Sequence, residues 1–181
     1  MKIFIIGNGG TGKSTLAHKM GAELGIEVTH VDLIMWNKNW DRMPEKEFTK
    51  RLTKIIARKE WIIEGWGYNS SIAQRIEKAD VIIYLQFPLE FCLKSVLERN
   101  KKYNNKKNPF DPFEDDRLSN HHLFEEAIRT MHKDYEPELR RWLSQWEFSL
   151  KKIFVFKSRK ELEKGYDSMM MEIKGTMNRN S

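Results

Sequence analysis

Residues 7–14 read Gly7-Asn8-Gly9-Gly10-Thr11-Gly12-Lys13-Ser14 and follow directly on an apolar run from Lys2 to Ile6. The pattern G-x-x-x-x-G-K-[ST] between a strand and a helix is typical of a phosphate-binding loop. Successive backbone N–H groups of such a loop point inward at phosphate oxygens, and the helix that follows directs its positive dipole end at the same place. The stretch therefore predicts an α/β protein that binds a nucleotide.

The motif also predicts a division of work within the loop. Lys13 is expected to reach the β and γ phosphates of ATP or GTP, where it serves catalysis as well as binding. The hydroxyl of Ser14 is expected to bind a magnesium ion that bridges the β and γ oxygens. The residues that the motif assigns to the nucleotide are Gly7, Gly9, Gly10, Thr11, Gly12, Lys13 and Ser14.

Strand-like and helix-like segments alternate along the rest of the chain. Five runs are predicted to be strands: Lys2 to Ile6, Glu27 to Val31, Trp61 to Glu64, Asp80 to Phe87 and Lys152 to Phe156. Helical spacing lies between them, and the helical stretch from His121 to Trp146 is expected to kink or break at Pro137. Such alternation predicts a doubly wound parallel sheet with helices on both faces.

Length and composition limit the alternatives. The chain has 181 residues, of which 40% are hydrophobic and 32% are charged, so it can bury one core and keep a charged surface. We expect a single domain over residues 1–175, a frayed tail over residues 176–181, no membrane segment and a cytoplasmic location. The formal net charge of +6 suits an anionic partner without choosing between nucleotides, phosphorylated metabolites and nucleic acids.

Two acids stand at the predicted carboxyl ends of strands, which face the ligand crevice in a parallel sheet. Asp32 is predicted to orient an acceptor hydroxyl, take its proton or hold a metal-bound water, and its alternative role is a helix N-cap. Glu64 is predicted to help to hold magnesium, and its alternative role is a surface salt bridge. Four aromatic residues that follow these acids either wall an acceptor pocket or pack the loops: Trp36, Trp40, Trp66 and Tyr68.

A polar stretch from about residue 100 to 120 is rich in Asn and Lys and contains two prolines, which indicates a lid-like insertion. Five basic residues lie at its start: Arg99, Lys101, Lys102, Lys106 and Lys107. Cations brought over the phosphates would stabilise the transition state and exclude water, and we expect this catalytic role for Arg99. For the lysines, a solvated charged loop remains the alternative. The histidines show no metal-ligand spacing, and none is assigned a metal.

Four features together resemble the adenylate-kinase-like P-loop proteins of the DNA topology modulation family, over roughly residues 1–145. These are the phosphate loop, Val31-Asp32 with its aromatic followers, the run from Trp61 to Gly65, and Val81 to Pro88 followed by Arg99. The chain is similar more distantly to adenylate, shikimate and gluconate kinases. This resemblance implies a nucleoside-monophosphate-kinase-like fold, with a five-stranded parallel sheet in the order 2-3-1-4-5.

The same resemblance implies roles for individual residues. Nucleotide binding is carried over to Gly9, Gly12, Lys13, Ser14 and Thr15, and Arg99 matches the first arginine of the lid. Adenylate kinases usually have Asp-Gly-Phe-Pro-Arg after the third strand, whereas this chain has Glu64-Gly65-Trp66-Gly67-Tyr68, so the arginine that binds AMP is missing. A second lid arginine is also missing from Asn100 to Lys106, which leaves Lys102 or Arg117 as substitutes.

These observations favour a phosphotransferase that moves the γ-phosphoryl group of ATP, with Mg²⁺, to a small acceptor that the sequence does not identify. The alternative is an ATP-dependent regulatory or nucleic-acid-binding protein in which the basic lid closes on a phosphate backbone. The sequence lacks a helix-turn-helix or other recognisable DNA-reading motif. A nucleic-acid partner is therefore possible but not favoured.

Overall fold

The computed structural model describes residues 1–36, 41–103, 121–145 and 151–179. Within these ranges, five strands form one parallel sheet: β1 Lys2–Gly7, β2 Val28–His30, β3 Trp61–Glu64, β4 Val81–Leu85 and β5 Lys152–Phe156. Their order in the sheet is β2-β3-β1-β4-β5. The prediction of a parallel sheet in the order 2-3-1-4-5 is thereby confirmed.

Eight α-helices connect or flank these strands within the described ranges. They are α1 Lys13–Leu24, α2 Val31–Met35, α3 Glu45–Ile56, α4 Ser70–Lys78, α5 Leu89–Tyr103, α6 His121–Thr130, α7 Glu136–Ser144 and α8 Arg159–Arg179. A π-helical turn, Met131–Tyr135, joins α6 to α7.

Alternation along β1 divides the core into two layers, because successive side chains of a strand point to opposite faces of a sheet. Ile3 and Ile5 pack with residues of α1, α5 and α8 on one face. Phe4 and Ile6 pack with residues of α3, α4 and α7 on the other face. Helices therefore cover both faces, and the carboxyl ends of the strands form the edge where open parallel sheets have their ligand crevice.

The structure corrects several boundaries. β2 ends at His30 and Val31 begins the short helix α2, so Asp32 lies in a helix and not at the end of a strand. α5 continues past Arg99 to Tyr103, which removes the first residues of the expected insertion, and residues 104–120 lie outside the described ranges. α8 continues to Arg179, so residues 176–179 are helical where we expected a frayed tail.

The break expected at Pro137 takes a different form. α6, the π-helical turn and α7 follow one another without a gap, and Pro137 lies in the first turn of α7. Proline is tolerated there because the first N–H groups of a helix have no partner within it. The irregularity therefore falls just before Pro137, in the π-helical turn.

No helix in the described ranges has the length and apolar character needed to span a bilayer.

Candidate functional site

The phosphate loop lies between β1 and α1, at the carboxyl edge of the sheet. Gly12 precedes α1 with a φ of 87°, in the left-handed region, and Lys13 is the first residue of the helix. The Lys13 Nζ donates a hydrogen bond to the Asn8 carbonyl oxygen at 2.8 Å. The ammonium group therefore folds back over the loop, toward the place where phosphates bind in such loops.

Asn8 is the centre of the hydrogen bonds that hold the loop. Its carbonyl also accepts from Thr11 Oγ1 at 2.9 Å, and its side-chain Oδ1 accepts from the Gly9 N–H at 2.7 Å. Its Nδ2 donates to the carbonyl of Ile128, near the end of α6, at 3.0 Å. The sequence motif treats Asn8 as a variable position, so motif reading missed this tether between the loop and α6.

Gly10 has no room for a side chain, because a β-carbon there would lie 2.6 Å from the Cys92 carbonyl oxygen and φ is 77°. We expect Gly10→Ala to lower the free energy of unfolding by about 3 kcal/mol or more, since the left-handed conformation alone costs about 1–2 kcal/mol. Gly25→Ala is the matched control, because Gly25 has a φ of 68° with nothing within 4 Å. Urea unfolding of both variants measures the difference, and equal losses would contradict the clash.

Ser14 and Glu64 meet at this edge of the sheet. The Ser14 Oγ donates to Glu64 Oε1 at 3.0 Å, and His30 Nδ1 lies 2.7 Å from the same oxygen. The parallel pairing of β2 with β3 sets His30 opposite Glu64, which brings the imidazole to the carboxylate. The structure thus joins two residues that we predicted to bind magnesium. It adds His30, to which we assigned no role from the sequence.

The neighbours of Glu64 favour the ionised form of its carboxyl group, although the residue is only 2% exposed. Burial alone would raise its pKa, but the hydrogen bond from His30 and the charge of Lys13 outweigh burial. The pKa of Glu64 therefore lies below its ordinary value. An ionised carboxylate can only accept hydrogen bonds, so His30 and Ser14 are the donors.

These oxygens fit a magnesium ion held partly by the substrate. Among the residues described, no cluster of three or more His, Cys, Asp or Glu side chains could hold a metal by itself. Magnesium typically takes one or two protein carboxylates and fills its other positions with substrate phosphate oxygens and waters. Ser14 and Glu64 match that pattern, since they supply one hydroxyl and one ionised carboxylate beside the phosphate loop.

Asp32 lies at the same carboxyl edge of the sheet as Glu64, in the first turn of α2, which directly follows β2. Its side chain is exposed, and a β-carbon built on Gly65 would lie 3.8 Å from Asp32 Oδ1. Asp32 is therefore near the residue that follows Glu64, although it does not end β2. Its roles as base and metal ligand, like the metal role of Glu64, stay predictions.

The aromatic residues near Asp32 and Glu64 mostly pack against neighbouring loop residues. Trp66 is 8% exposed and donates from Nε1 to Asn69 Oδ1 at 2.7 Å. The Tyr68 hydroxyl donates to the Met43 carbonyl oxygen at 2.6 Å, and the Arg42 guanidinium lies 4.0 Å from the centre of its ring. These contacts match loop packing, the alternative to an acceptor wall. Trp36 is half-buried, and Trp40 lies outside the described residues.

The basic cluster is only partly described. Arg99 is half-buried on α5, and Lys101 and Lys102 are exposed in the last turn of that helix. Lys106, Lys107 and the possible substitute Arg117 lie outside the described residues. The lid role of the cluster therefore stays a prediction.

Two buried charged residues were missed by the sequence reading. Arg75 is 0% exposed and packs on the inner face of α4. Glu136 is buried at the start of α7, with His132 Nδ1 at 3.2 Å and Arg140 Nη1 at 3.7 Å. A signal was present for Arg75, because it occupies the same helical face as Ile72 and Ile76, where charged residues are rare.

Comparison with solved structures finds the same architecture elsewhere. A shikimate kinase from Acinetobacter baumannii in complex with shikimate is 18% identical, with a TM-score of 0.56, over 99% of this chain and 94% of the other. A shikimate kinase from Aquifex aeolicus vf5 is 16% identical, with a TM-score of 0.51, over 98% of each chain. An uncharacterized protein from Eubacterium ventriosum ATCC 27560 is 15% identical, with a TM-score of 0.57, over 97% of this chain and 98% of the other.

No family model and no curated protein matches the sequence. At these identities, likeness to the solved structures establishes the fold alone. Membership of the DNA topology modulation family stays a prediction. The five parallel strands in the order 2-3-1-4-5, with the phosphate loop after the first, give this chain the P-loop fold of shikimate kinases and nucleoside-monophosphate kinases.

Proposed function

We propose that this chain is an ATP-dependent phosphotransferase that transfers the γ-phosphoryl group to the hydroxyl or phosphate of a small acceptor. The observation that carries the proposal is the contact of Ser14 with the buried, ionised Glu64, directly beside Lys13 and the phosphate loop. A glycine-rich turn that served only folding would need neither a buried carboxylate nor a lysine turned over it. The fold shared with two shikimate kinases supports the same reaction class.

The phosphate loop binds the nucleotide in this proposal. Backbone N–H groups from Gly9 to Ser14 surround the β phosphate, and Lys13 leaves the Asn8 carbonyl to contact the β and γ oxygens. Ser14 and Glu64 would hold the magnesium ion that accompanies the nucleotide, and the ion would supply positive charge that offsets the charge of the phosphates. Thr15 follows at the exposed side of α1, within the stretch that the family resemblance assigns to the nucleotide.

Transfer then depends on the acceptor side of the crevice. Asp32 orients the acceptor hydroxyl and takes its proton while the acceptor oxygen attacks the γ phosphorus. The bond from that phosphorus to the β–γ bridging oxygen breaks, and ADP leaves with the bonding electrons. Arg99 contributes positive charge to the transferring group from α5.

The test is a screen of nucleosides, nucleotides and hydroxylated acids for ATP-dependent phosphorylation, read by mass spectrometry and ADP release. Duplex and single-stranded DNA and RNA are titrated in parallel at two salt concentrations. We expect a phosphorylated small acceptor and only weak nucleic-acid binding. Tight binding whose affinity falls with a log–log slope of several units in salt, with no acceptor phosphorylated, would contradict the kinase and favour the nucleic-acid-binding alternative.

Arg99→Ala should lower phosphoryl transfer by about tenfold, because the lost guanidinium stabilises charge that develops on the transferring group. The measurement is turnover with the acceptor that the screen identifies, together with the dissociation constant of ATP. Arg58→Ala is the control, since Arg58 is an exposed arginine that pairs with Glu27 on the surface. If both variants turn over as fast as the wild type, Arg99 has no part in catalysis.

A further inference from the structure

The guanidinium of Arg75 is the most deeply buried cation in the described part of the chain. Its exposed fraction is 0%, and it lies on the inner face of α4, with its Cζ 4.6 Å from the centre of the Phe4 ring. Burying a charge is costly unless hydrogen bonds or opposite charges replace the lost water. The hydrogen-bond partners of Arg75 therefore indicate which part of the structure the buried charge stabilises.

Those partners belong to the loop that follows Glu64. Nη1 donates to the Gly65 carbonyl oxygen at 2.7 Å, and Nη2 donates to the Trp66 carbonyl oxygen. Nε donates to the Ser71 carbonyl oxygen at 3.2 Å, and Nη2 also donates to Ser71 Oγ at 2.9 Å. Four of the five N–H groups of the guanidinium are thus used, and two of them hold consecutive carbonyls after β3.

Gly65 separates Arg75 from the crevice. Its carbonyl faces the guanidinium, whereas the position of a β-carbon on Gly65 faces Val31 at 3.2 Å and Asp32 Oδ1 at 3.8 Å. A shift of the Gly65 backbone would therefore move Glu64, which precedes Gly65 in the chain. It would also disturb Asp32, which lies beside Gly65 in space. Arg75 does not itself reach the crevice, because it is fully buried behind the loop.

The positive charge of Arg75 also interacts with the carboxylates of Asp32 and Glu64. Burial lowers the pKa of Arg75 to about 9, while the negative charges of Asp32 and Glu64 act to raise it. At neutral pH the guanidinium is therefore still charged, and it offsets the two carboxylates from behind the loop. Within the described residues, the hydrogen bonds that it donates go to backbone carbonyls and a hydroxyl.

We propose that Arg75 is a positioning residue of the phosphotransfer site, which holds the Gly65 and Trp66 carbonyls so that Glu64 keeps its place beside Ser14. The inference rests on the proposed function, because it assigns to Glu64 the task of holding magnesium with the nucleotide. Lysine cannot replace the planar fork of arginine, since one ammonium group does not reach two carbonyls and a hydroxyl in one plane. The role therefore depends on the shape of the guanidinium and not on its charge alone.

The experiment compares ATP binding in excess Mg²⁺ with ATP binding in excess EDTA, by calorimetry, for the full chain and its variants. In Arg75→Lys we expect the affinity for ATP without Mg²⁺ to stay within about threefold of the wild type, while the gain in affinity from Mg²⁺ falls by about tenfold. Ile76→Ala is the matched control, because Ile76 is buried on the same helix and its side chain has no donor that could hold a carbonyl. It should lose stability and keep the full gain from Mg²⁺.

The outcomes separate this inference from the proposed function. If Mg²⁺ does not increase the affinity of the wild type for ATP, the proposed function itself is contradicted. A normal gain in Arg75→Lys, or an equal loss in Ile76→Ala, would overturn the positioning role alone. If Arg75→Lys does not fold, Ser71→Ala replaces it, since Ser71 Oγ bridges Arg75 and the Tyr68 carbonyl oxygen. That variant should lower the gain by about threefold, and an unchanged gain would equally refute the role.

Discussion

Replacing Lys13 by alanine should abolish most of the thermal stabilisation that ATP with Mg²⁺ gives to this protein. A ligand present at 100 times its dissociation constant adds about 2.7 kcal/mol to a native state that alone binds it. For a chain of this size that corresponds to a rise in Tm of about 5–10 °C. Lys13 is the cation of the phosphate loop, and its Nζ already lies 2.8 Å from the Asn8 carbonyl oxygen within that loop. Differential scanning calorimetry of both proteins with and without nucleotide measures the effect.

The control for this prediction is Lys50→Ala, which removes an exposed lysine of α3, away from the phosphate loop. It should show the same nucleotide-dependent rise in Tm as the wild type. The apo proteins should also melt at similar temperatures, so that a lost shift reports binding and not folding. Equal affinity for ATP in the wild type and Lys13→Ala would show that the loop does not bind phosphates in the expected way.

Glu64→Gln and Asp32→Asn should each reduce turnover by about 10² or more and leave the affinity for nucleotide within about tenfold. Glutamine keeps the size of Glu64 but loses the charge that the magnesium ion requires. Asparagine keeps the shape of Asp32 but cannot accept a proton from the acceptor. Steady-state kinetics with the identified acceptor give turnover, and calorimetry gives the dissociation constant of ATP.

The two variants are compared with Glu60→Gln, which changes an exposed carboxylate just before β3. This control should keep normal turnover, because a charge at the amino end of the strand is remote from the crevice. If Glu64→Gln and Asp32→Asn also keep normal turnover, both acids have structural roles. For Glu64 that role would be its hydrogen bonds with Ser14 and His30, and for Asp32 the first turn of α2.

The sequence alone was sufficient for the features that depend on local spacing. The phosphate loop could be predicted because its glycines, Lys13 and Ser14 are contiguous and lie between a strand and a helix. The five strands could be predicted because buried parallel strands are short apolar runs, and Trp61–Glu64 and Lys152–Phe156 have the predicted bounds. Their order came from the family resemblance, and the structure confirms it.

Boundaries were less predictable, and one of them changes the site. The apolar run from Glu27 to Val31 suggested that Asp32 ends a strand, but β2 stops at His30 and Asp32 lies in α2. Strand pairing decides this end, since the described contacts of β2 with β3 finish where His30 lies opposite Glu64. Period and composition contain no information about where a neighbouring strand stops.

Tertiary structure alone decided the polar contacts of the site. His30 and Glu64 are 34 residues apart, Asn8 and Ile128 are 120 apart, and both pairs meet through side-chain hydrogen bonds. Helical spacing places Arg75 on the same face as Ile72 and Ile76, but only the tertiary structure shows that its guanidinium binds the Gly65 and Trp66 carbonyls. Local patterns determine which segments are strands and helices, because they depend on the spacing of apolar residues. A buried polar group takes whichever partner packing brings within about 3 Å, and that depends on strand register and helix docking across the whole chain.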